Sequence, residues 1–520
     1  MLIIVFIKVR GCNNLGKNFY IGIDIGTTGV RSNIFDIEGN QIGFDYKEYP
    51  TICTEKGMLE LDPNYVFKSL LEVVKNSIDK CNISSKSIRS IGMSSQMHSF
   101  IAVDKDGNNL TNVITWGDTR SINEAKFIEK NYDSNELYRK TGCRVQHPMY
   151  PLSNILWLKN KMPAVYKNSY KFVTIKEYII FKLSGKFIID LTDASATACL
   201  NINSFNWDKD ILKDILKIDA DMLGEVRECT YIVPSIKREY AEKMGIKTDT
   251  PLAIGSGDGI MANIGCGGFD DTSMSCTIGT SGALRIAANK PLFDEEARTW
   301  CYCFTKDTWV AGGAISNGGI VLKYLRNQFR DQFEKEASEK GYDNIYNLFN
   351  YYASQIDPGS NGLIFLPFLT GERSPGWNAD ATASLIGLRF MHDKRHIIRA
   401  AMESVIYNMY SIYRMIEKID GNVKQIIANG GYANSDIWLQ IQADIFNKEI
   451  AVAGTTEASV FGAAYVGMAA VGDIKSLKHP IPRMKPIKII KPNYNNIQIY
   501  KDMYNKFLNY YTIILGKKLF

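Results

Sequence analysis

Hydrophobic and polar residues alternate over residues 19–26, FYIGIDIG, where isoleucines at every second position are separated by small or polar residues. Such alternation is typical of a β-strand. The sequence GTTG then predicts a tight turn, and an extended pattern resumes over VRSNIFDIEGN until a Gly-Asn turn signal at Gly39. The same plan is repeated over residues 274–287, MSCTIGTSGALRIA. The chain is therefore predicted to contain two matching β-hairpins.

Apolar residues recur at helical spacing over residues 64–80, 396–418 and 435–447. Residues 251–268, PLAIGSGDGIMANIGCGG, predict a strand, a glycine-rich turn and a helix of small residues. This recurrence in both halves predicts an α/β fold, with two similar domains facing each other across a central cleft. The boundary is expected near residues 258–275. The predicted division is an N-terminal extension (1–17), a first domain (18–266), a second domain (267–475) and a C-terminal tail (476–520).

Composition narrows the class of protein. The 520 residues are 45% hydrophobic and 22% charged, as in globular proteins, and the length favours two or more domains. The net charge is +6, and no basic cluster predicts binding to nucleic acid. The ten cysteines form no CxxC pair, which favours reduced thiols in a cytoplasmic protein. The apolar opening MLIIVFIKVR is too short to span a bilayer and lacks a signal peptide's layout, so no membrane association is expected.

The two turns suit phosphate. Glycine and threonine bring backbone N–H groups and hydroxyls together with little bulk, and a phosphate needs several converging donors. One GTTG alone would indicate an ordinary hairpin turn, but two copies in matching settings favour two loops that hold successive phosphates of one nucleotide. Asp24 opens the first copy and could hold the waters of Mg²⁺, whereas Thr277 opens the second without adding negative charge. Arg31 could offset phosphate charge or be an ordinary exposed strand arginine.

Asp258 is the candidate general base. It lies between glycines in GSGDG (255–259), at the end of an apolar strand, where open α/β sheets place reactive groups. A carboxylate there can take the proton of a substrate hydroxyl while the oxygen attacks a phosphoryl group. The alternative role is to cap the following helix, and one side chain can fill both roles.

Two further stretches indicate a polyhydroxylated substrate. GMSSQMHSFIAVDKDG (92–107) places His98 at a strand end, where a neutral imidazole could bind a hydroxyl, although a core histidine is the alternative. ITWGDTRS (114–121) holds Trp116, Asp118 and Arg120 within five residues. That combination suits a sugar pocket, and the alternative is a surface turn with an Asp–Arg pair.

Glycine pairs mark two strand–helix junctions. They lie in IIANGGYANSDIWLQIQADIF (426–446) and in GGAISNGGIVLKYLR (312–326). Glycines at such a junction let a flat ring lie against the backbone, which fits an adenine site, although Gly-Gly turns are also common elsewhere.

These motifs, in this order, resemble the FGGY family of carbohydrate kinases from about residue 19 to about residue 475. The resemblance rests on DIGTTG, SSQMHS, WGDTRS, GSGDG, TIGTSG, FLPFLTGERSPGWN and ANGGYANS. It implies two ribonuclease-H-like domains of the actin, hexokinase and Hsp70 type, with ATP and Mg²⁺ in the cleft. It also implies Asp258 as catalytic base and metal residue, together with Asp24 at the metal. The implied nucleotide residues are Thr27, Thr28, Arg31, Thr280, Gly319, Lys323, Gly431 and Ser435.

The resemblance also bears on the substrate. Met97 and His98 fall where xylulose- and gluconate-kinase-like members carry Met-His, whereas glycerol-kinase-like members carry Arg-Glu. The stretch TGCRVQHPMYPLSNILWLKN (141–160), which includes His147, looks most like gluconate kinases. The expected reaction is the ATP-dependent phosphorylation of a sugar acid, D-gluconate to 6-phosphogluconate. The substrate residues are then expected to be Met97, His98, Trp116, Asp118, Arg120, His147 and Asp258.

A sugar acid also requires a cation or N–H donors for its carboxylate. Arg120, Arg144 and Lys176 are the candidates, with surface or structural roles as alternatives. Two other functions stay open: a xylulose or other pentulose or polyol kinase, and an actin- or Hsp70-like ATPase that binds a protein partner. The expected partners are small sugars or sugar acids and a second copy of the chain in a homodimer.

Overall fold

The computed structural model describes residues 18–455, 457–478 and 480–520. The extension predicted for residues 1–17 lies outside them. In the first half the strands are β1 (Phe19–Ile25), β2 (Gly29–Phe35), β3 (Gln41–Glu48), β4 (Glu60–Leu61), β5 (Ile88–Ser95), β6 (Ile101–Val103), β7 (Val113–Ile114), β8 (Lys171–Val173), β9 (Ile188–Asp190), β10 (Leu200–Asn201), β11 (Asn206–Trp207), β12 (Glu225–Arg227) and β13 (Leu252–Gly257). The helices are α1 (Pro63–Lys80), α2 (Ile122–Asn131), α3 (Ser134–Thr141), α4 (Pro151–Lys161), α5 (Pro163–Asn168), α6 (Ile175–Ser184), α7 (Leu191–Ser195), α8 (Arg238–Met244) and α9 (Asp258–Gly265).

The second half continues the alternation of strands and helices. Its strands are β14 (Ser273–Ile278), β15 (Gly282–Ala288), β16 (Trp300–Thr305), β17 (Thr308–Ile315), β18 (Ile364–Leu366), β19 (Ser384–Ile386), β20 (Gln425–Asn429), β21 (Ile450–Val452) and β22 (Lys488–Ile490). Its helices are α10 (Ile320–Gln328), α11 (Arg330–Glu339), α12 (Ile345–Ser354), α13 (Lys394–Asp420), α14 (Asp436–Phe446), α15 (Ala458–Ala470) and α16 (Ile497–Leu515).

Each half is built on one mixed sheet. The first has the order β13-β5-β1-β2-β3, in which β13, β5 and β1 are parallel and β2 and β3 antiparallel. The second has the order β16-β17-β15-β14-β20-β21-β22, with β14, β20 and β21 parallel. Both predicted hairpins are confirmed as β1–β2 and β14–β15, and each central hairpin strand has a parallel neighbour. The fold is therefore the duplicated α/β architecture predicted from the sequence.

The three long helices predicted from apolar spacing are confirmed as α1, α13 and α14. Helix α1 begins where Asp62 accepts the N–H of Asn64 at 2.9 Å and Pro63 fixes the first turn. Helix α14 begins at Ser435, whose hydroxyl accepts the N–H of Trp438 at 3.2 Å. Local capping thus fixes where these helices begin, whereas their apolar faces explain why they form.

Helix α15 joins the two halves. It belongs to the second half by sequence, but it lies against β1 and β5 of the first sheet and against α9. The approach is close enough that a Cβ on Gly22 would overlap the backbone of Val460, and one on Gly92 the backbone of Ala463. These glycines are therefore required by backbone-to-backbone packing.

The C-terminal segment, which the sequence set apart as a tail, completes the second half. Strand β22 pairs with β21 at the edge of the sheet. Helix α16 buries Tyr500, Tyr504 and Phe507 in the same hydrophobic core as α13. Across the described parts of the chain, no helix combines the length and apolar character needed to cross a membrane.

Candidate active site

Asp258 stands where the first sheet ends. Strand β13 runs parallel to β5 and stops at Gly257, and Asp258 is the first residue of α9. Its Oδ1 accepts the backbone N–H of Gly259 at 2.7 Å. The carboxylate is therefore fixed at the carboxyl end of a strand, where open α/β sheets bind ligands.

The surroundings of Asp258 raise the pKa of its carboxyl group toward neutral pH. Burial, and to a lesser extent the negative charge of Asp24, raise its pKa to about 6. The guanidinium of Arg285 and the N–H of Gly259 act in the opposite direction. A carboxyl group with such a pKa is ionised at pH 7 yet basic enough to accept a proton.

Asp24 is the buried carboxylate of the first hairpin. Its Oδ1 accepts the hydroxyl of Ser94 at 2.8 Å, and its Oδ2 accepts that of Ser459 at 2.9 Å. The Nε of Arg31 lies 3.5 Å from Oδ2, and the Nη1 of Arg31 lies 2.7 Å from Glu457. The charge of Arg31 is therefore shared by two carboxylates of the protein.

The first loop is linked to the stretch predicted to bind sugar. Trp116 donates its Nε1–H to Oγ1 of Thr27 at 2.9 Å, and Thr27 donates to Oε1 of Gln96 at 3.3 Å. Thr28 is exposed at the tip of the loop. The first phosphate loop and the sugar-side residues thus form one hydrogen-bonded unit.

The second loop is joined to the start of α10. The N–H of Gly319 donates to the carbonyl of Gly279 at 2.7 Å, and that of Gly318 donates to Thr280 at 3.0 Å. A Cβ on Gly319 would lie 2.7 Å from the same Gly279 oxygen, so a side chain would force the loop away. Gly279 and Thr280 are exposed, as is Lys323 one turn into the helix.

The strand–helix junction after β20 leaves an open face. Gly430 has a φ of +89° and packs closely on Ile278, next to the second loop, whereas a Cβ on Gly431 would meet nothing within 4 Å. Ser435 caps α14 and donates its hydroxyl to Asn350 at 2.7 Å. The predicted nucleotide residues of the second half therefore lie around one surface.

Aromatic rings surround the two histidines that are predicted from the sequence to bind substrate. The Nε2 of His98 lies 3.0 Å from the hydroxyl of Tyr302, which comes from the second half, and the ring packs edge-on against Tyr150. His147 packs edge-on against Trp377. Burial lowers the pKa of both histidines to about 3, with smaller effects from Arg373 and other nearby cations, so both rings are neutral.

Met97 lines the same region. It is buried, and its side chain lies against Gly257, the residue before Asp258; a Cβ on that glycine would lie 2.8 Å from the sulfur. Met97, the residue before His98, thus lies next to the candidate base.

Asp118 and Arg120 are tied to each other. Arg120 donates to both carboxylate oxygens of Asp118, at 2.9 and 2.7 Å, and pairs with Glu60 at 2.6 Å. Asp118 also accepts the N–H of Leu59 at 2.7 Å. The pair therefore holds the loop that carries Trp116, and its charges are already compensated.

The three cations that are candidates for binding a substrate carboxylate differ in whether a carboxylate of the protein already neutralises them. Arg120 is paired, and Lys176 is fully buried between Asp190 at 2.6 Å and Asp193 at 3.0 Å. Arg144 donates to the backbone carbonyls of Glu296 and Ala297 and has no carboxylate within 4.0 Å in the described structure. Of the three, only Arg144 retains an uncompensated charge.

Two arginines beside the predicted site residues were not singled out from the sequence. Arg285 on β15 packs against Gly259, 3.5 Å from the hydroxyl of Thr277, and Arg373 lies over the ring of Trp116. Arg285 is the one polar residue of strand β15, GALRIAA, and Arg373 lies in FLPFLTGERSPGWN. An isolated cation in an otherwise apolar strand was the signal that could have identified Arg285.

The site therefore combines elements of both halves. Asp24 acts on Asp258 electrostatically from the first hairpin, and Arg285 does so from the second. Both hairpins that carry the predicted phosphate loops thus influence the charge of Asp258.

Comparisons with known proteins agree with this arrangement. Residues 19–265 match the N-terminal domain and residues 274–471 the C-terminal domain of the FGGY family of carbohydrate kinases. A gluconokinase of Bacillus subtilis is 38% identical over 460 residues, which are 88% of this chain and 89% of that protein. A gluconate kinase structure from Lactobacillus acidophilus has a TM-score of 0.89 and 34% identity, covering 96% of this chain and 98% of its own. A xylulose kinase structure from the same organism has a TM-score of 0.90 and 34% identity, covering 96% and 99%. The chain belongs to the FGGY family of carbohydrate kinases.

Proposed function

We propose that the protein transfers the γ-phosphoryl group of ATP to a sugar acid, converting D-gluconate to 6-phosphogluconate. The observation that supports this proposal is the electrostatic contact of Asp258 with Asp24 of the first hairpin and with Arg285 of the second. In addition, Arg144 and Arg373 have no carboxylate within 4.0 Å among the described residues. Positive charge of this kind suits an anionic acceptor together with a triphosphate. The similarity to a gluconokinase supports the choice of acceptor.

Asp258 would start the reaction as general base. Its carboxylate takes the proton of the terminal hydroxyl of the sugar acid while that oxygen bonds to the γ-phosphorus of ATP. The bond between this phosphorus and the bridging oxygen breaks, and ADP leaves with the electron pair. Arg285, beside Asp258 and Thr277, is placed to offset the charge of the phosphoryl group during transfer.

The nucleotide would lie between the two loops. Thr27 and Thr28 offer hydroxyls and N–H groups from the first loop, and Thr280 from the second. Gly319 and Lys323 follow the second loop, and the open face at Gly431 beside Ser435 suits the flat adenine ring. Arg31, paired with Asp24 and Glu457, would contribute charge near the phosphates through this network.

Magnesium would bind on the side of Asp24 and Asp258. The described residues contain no cluster of three potential protein ligands, but Mg²⁺ commonly uses one or two carboxylates, phosphate oxygens and waters. Two acidic side chains that interact through their charges fit that donor set. When bound, the ion supplies positive charge to the phosphates.

The acceptor would occupy the region of the neutral histidines. His98 and His147 can exchange hydrogen bonds with hydroxyls, Met97 supplies an apolar wall next to the base, and Trp116 supplies a ring. Asp118 and Arg120 act in this proposal by holding the Trp116 loop.

Nine cysteines of the described chain are free thiols, which supports a reducing, cytoplasmic location.

A xylulose kinase is the second candidate. The specific observation in its favour is the Lactobacillus acidophilus structure named a xylulose kinase, whose identity to this chain equals that of the gluconate kinase structure. Xylulose has no carboxylate, so the uncompensated arginines favour the acid.

A panel of acceptors tests the proposal. The purified protein, with ATP and Mg²⁺, is assayed for ADP release with gluconate, xylulose, ribulose, fuculose and glycerol, and the product is identified by ³¹P and ¹³C NMR. We expect the highest kcat/KM for gluconate and a phosphate ester at its terminal carbon. A higher kcat/KM for xylulose would select the second candidate, and ADP release independent of every acceptor would contradict both.

A further inference from the structure

Arg373 is held rigidly between the two halves of the molecule. Its guanidinium carbon lies 5.3 Å from the centre of the Trp116 ring, and Nη2 donates to the carbonyl of Ile315 at 3.1 Å. Trp116 is itself fixed by its hydrogen bond to Thr27 at 2.9 Å. Stacking on an aromatic face and one backbone bond orient the planar group without neutralising it.

No carboxylate among the described residues pairs with Arg373. In the described structure no carboxylate oxygen lies within 4.0 Å of it, Nε is buried without a hydrogen-bond partner, and no acceptor is bonded to Nη1. The neighbouring Glu372 is directed to the hydroxyl of Tyr511 at 2.5 Å. Burial, and the nearby charge of Arg285, lower the pKa of Arg373 to about 10. Buried N–H groups of a guanidinium are normally paired, so the unbonded Nε of Arg373 indicates a place for an anion.

Three other cations of the site are paired with carboxylates or lie beside a predicted phosphate loop. Arg31 and Arg120 are paired with carboxylates, and Arg285 stands next to Asp258 and the start of the second loop. The surroundings of Arg373 are instead those of the sugar side. His98, His147 and Tyr302 are close enough to share electrostatic effects with it. This position favours an anionic group on the acceptor over a phosphate of the nucleotide.

We propose that Arg373 binds the carboxylate of the sugar acid and is the residue that distinguishes it from a neutral polyol. This inference rests on the proposed function, because it requires an acidic acceptor. The free N–H groups of a fixed, planar guanidinium match a carboxylate, whereas a lysine ammonium offers the charge without the planar geometry. Arg144 and His147, both next to Trp377, lie beside the same end of the pocket.

Two variants, Arg373→Met and Arg373→Lys, test the assignment. Arg330→Met is the matched control, because Arg330 is an exposed arginine on α11 paired only with Glu334. KM and kcat are measured with D-gluconate and with D-glucitol, the neutral polyol of the same chain length, and KM is measured for ATP. We expect Arg373→Met to raise the gluconate KM about 10- to 100-fold, the usual effect of losing a hydrogen-bonded charge. The gluconate KM of Arg373→Lys should lie between those of the wild type and Arg373→Met. In both variants the KM for ATP should stay within about twofold of the wild-type value, and KM and kcat for glucitol should change little.

Binding without chemistry supplies a second readout. The thermal unfolding midpoint is measured with and without gluconate in the absence of ATP. Gluconate should raise it in the wild type and in Arg330→Met, but not in Arg373→Met. If Arg373→Met does not fold, the same comparison is made with Arg373→Lys.

The possible outcomes distinguish failure of the Arg373 assignment from failure of the proposed function. A wild-type enzyme without gluconate-dependent activity would refute the proposed function itself. An active wild type whose Arg373 variants lose the same factor with glucitol as with gluconate would overturn only the inference. A raised ATP KM with an unchanged gluconate KM would also overturn it and place Arg373 at the nucleotide.

Discussion

Asp258 shows how a single side chain links stability and function. Burial and the nearby Asp24 raise its pKa to about 6, so the ionised carboxylate is less stable in the folded protein than in the unfolded chain. The folded protein carries this cost above pH 6, and it disappears as the pH falls below the unfolded value of about 4. A group poised for proton transfer therefore weakens the fold at neutral pH.

Replacing this carboxylate should stabilise the protein. We expect Asp258→Asn to raise the free energy of unfolding at pH 8 by up to about 3 kcal/mol, because a shift of one pKa unit corresponds to 1.36 kcal/mol. The gain should shrink as the pH is lowered toward 4. Denaturant unfolding of both proteins at several pH values measures the difference, and a variant less stable than the wild type at pH 8 would refute the assigned cause.

Arg285 should set the acidic limit of activity. Its positive charge lowers the pKa of Asp258, so its removal should raise that pKa further. Activity requires the ionised base, so wild-type kcat/KM should fall as the pH drops below about 6, and in Arg285→Met this fall should begin at a higher pH. The pH profile of kcat/KM for gluconate measures the shift. Identical acidic limbs would show that Arg285 does not act on the base.

Some of these residues could be predicted from the sequence. Asp258, Asp24 and the two loops lie in short glycine-rich motifs whose residue types match their chemistry. Arg373 could not be assigned in the same way, because its role depends on Trp116 lying beneath it and on the absence, among the described residues, of a carboxylate within 4.0 Å. Lys176 shows the reverse: a candidate cation by sequence proves to be neutralised inside the core by Asp190 and Asp193.

At the scale of elements, the local sequence pattern predicts the strands and helices but not which of them pack together. Alternating residues predict both hairpins, and apolar spacing predicts α1, α13 and α14. No local pattern shows that α15 packs on the first sheet, because that contact depends on glycines more than 350 residues earlier in the chain. The contribution of α16 to the second core is equally non-local: its tyrosines are buried where α13 and α14 lie against the helix.

A substitution at the contact of α15 with the first sheet tests this packing. We expect Gly92→Ala to lower the free energy of unfolding by about 1–3 kcal/mol, because its Cβ would overlap the carbonyl of Ala463 and neither backbone can move freely. Gly117→Ala is the control, since its nearest obstacle is the movable Leu59 side chain at 2.9 Å. Equal unfolding free energies for the two variants would refute the close-packing account.

At the scale of the whole molecule, the two halves meet beside His98, at the proposed acceptor site. Thr192 donates its hydroxyl to the carbonyl of Cys303 at 2.7 Å, and Tyr302, next in the same strand, reaches His98 at 3.0 Å. An acceptor bound beside His98 would therefore contact both halves. This arrangement suits an enzyme in which the acceptor promotes closure of the cleft and so limits hydrolysis of ATP by water.

The ATPase rate without acceptor tests this coupling. We expect slow ADP release from ATP alone and a strong increase with gluconate, because the cleft should close fully only around both substrates. Tyr302→Phe, which removes the hydroxyl that reaches His98, should weaken the dependence on gluconate. Rapid ADP release that gluconate does not change would favour the partner-binding ATPase.

The central claim is that the carboxylate at position 258 activates the acceptor between the two phosphate loops. Its most direct test is Asp258→Asn, with gluconate affinity measured by calorimetry and turnover by ADP release with saturating ATP and Mg²⁺. The account predicts wild-type affinity and a kcat lower by about 10²- to 10⁴-fold. A variant that binds gluconate and turns over at nearly the wild-type rate would contradict it.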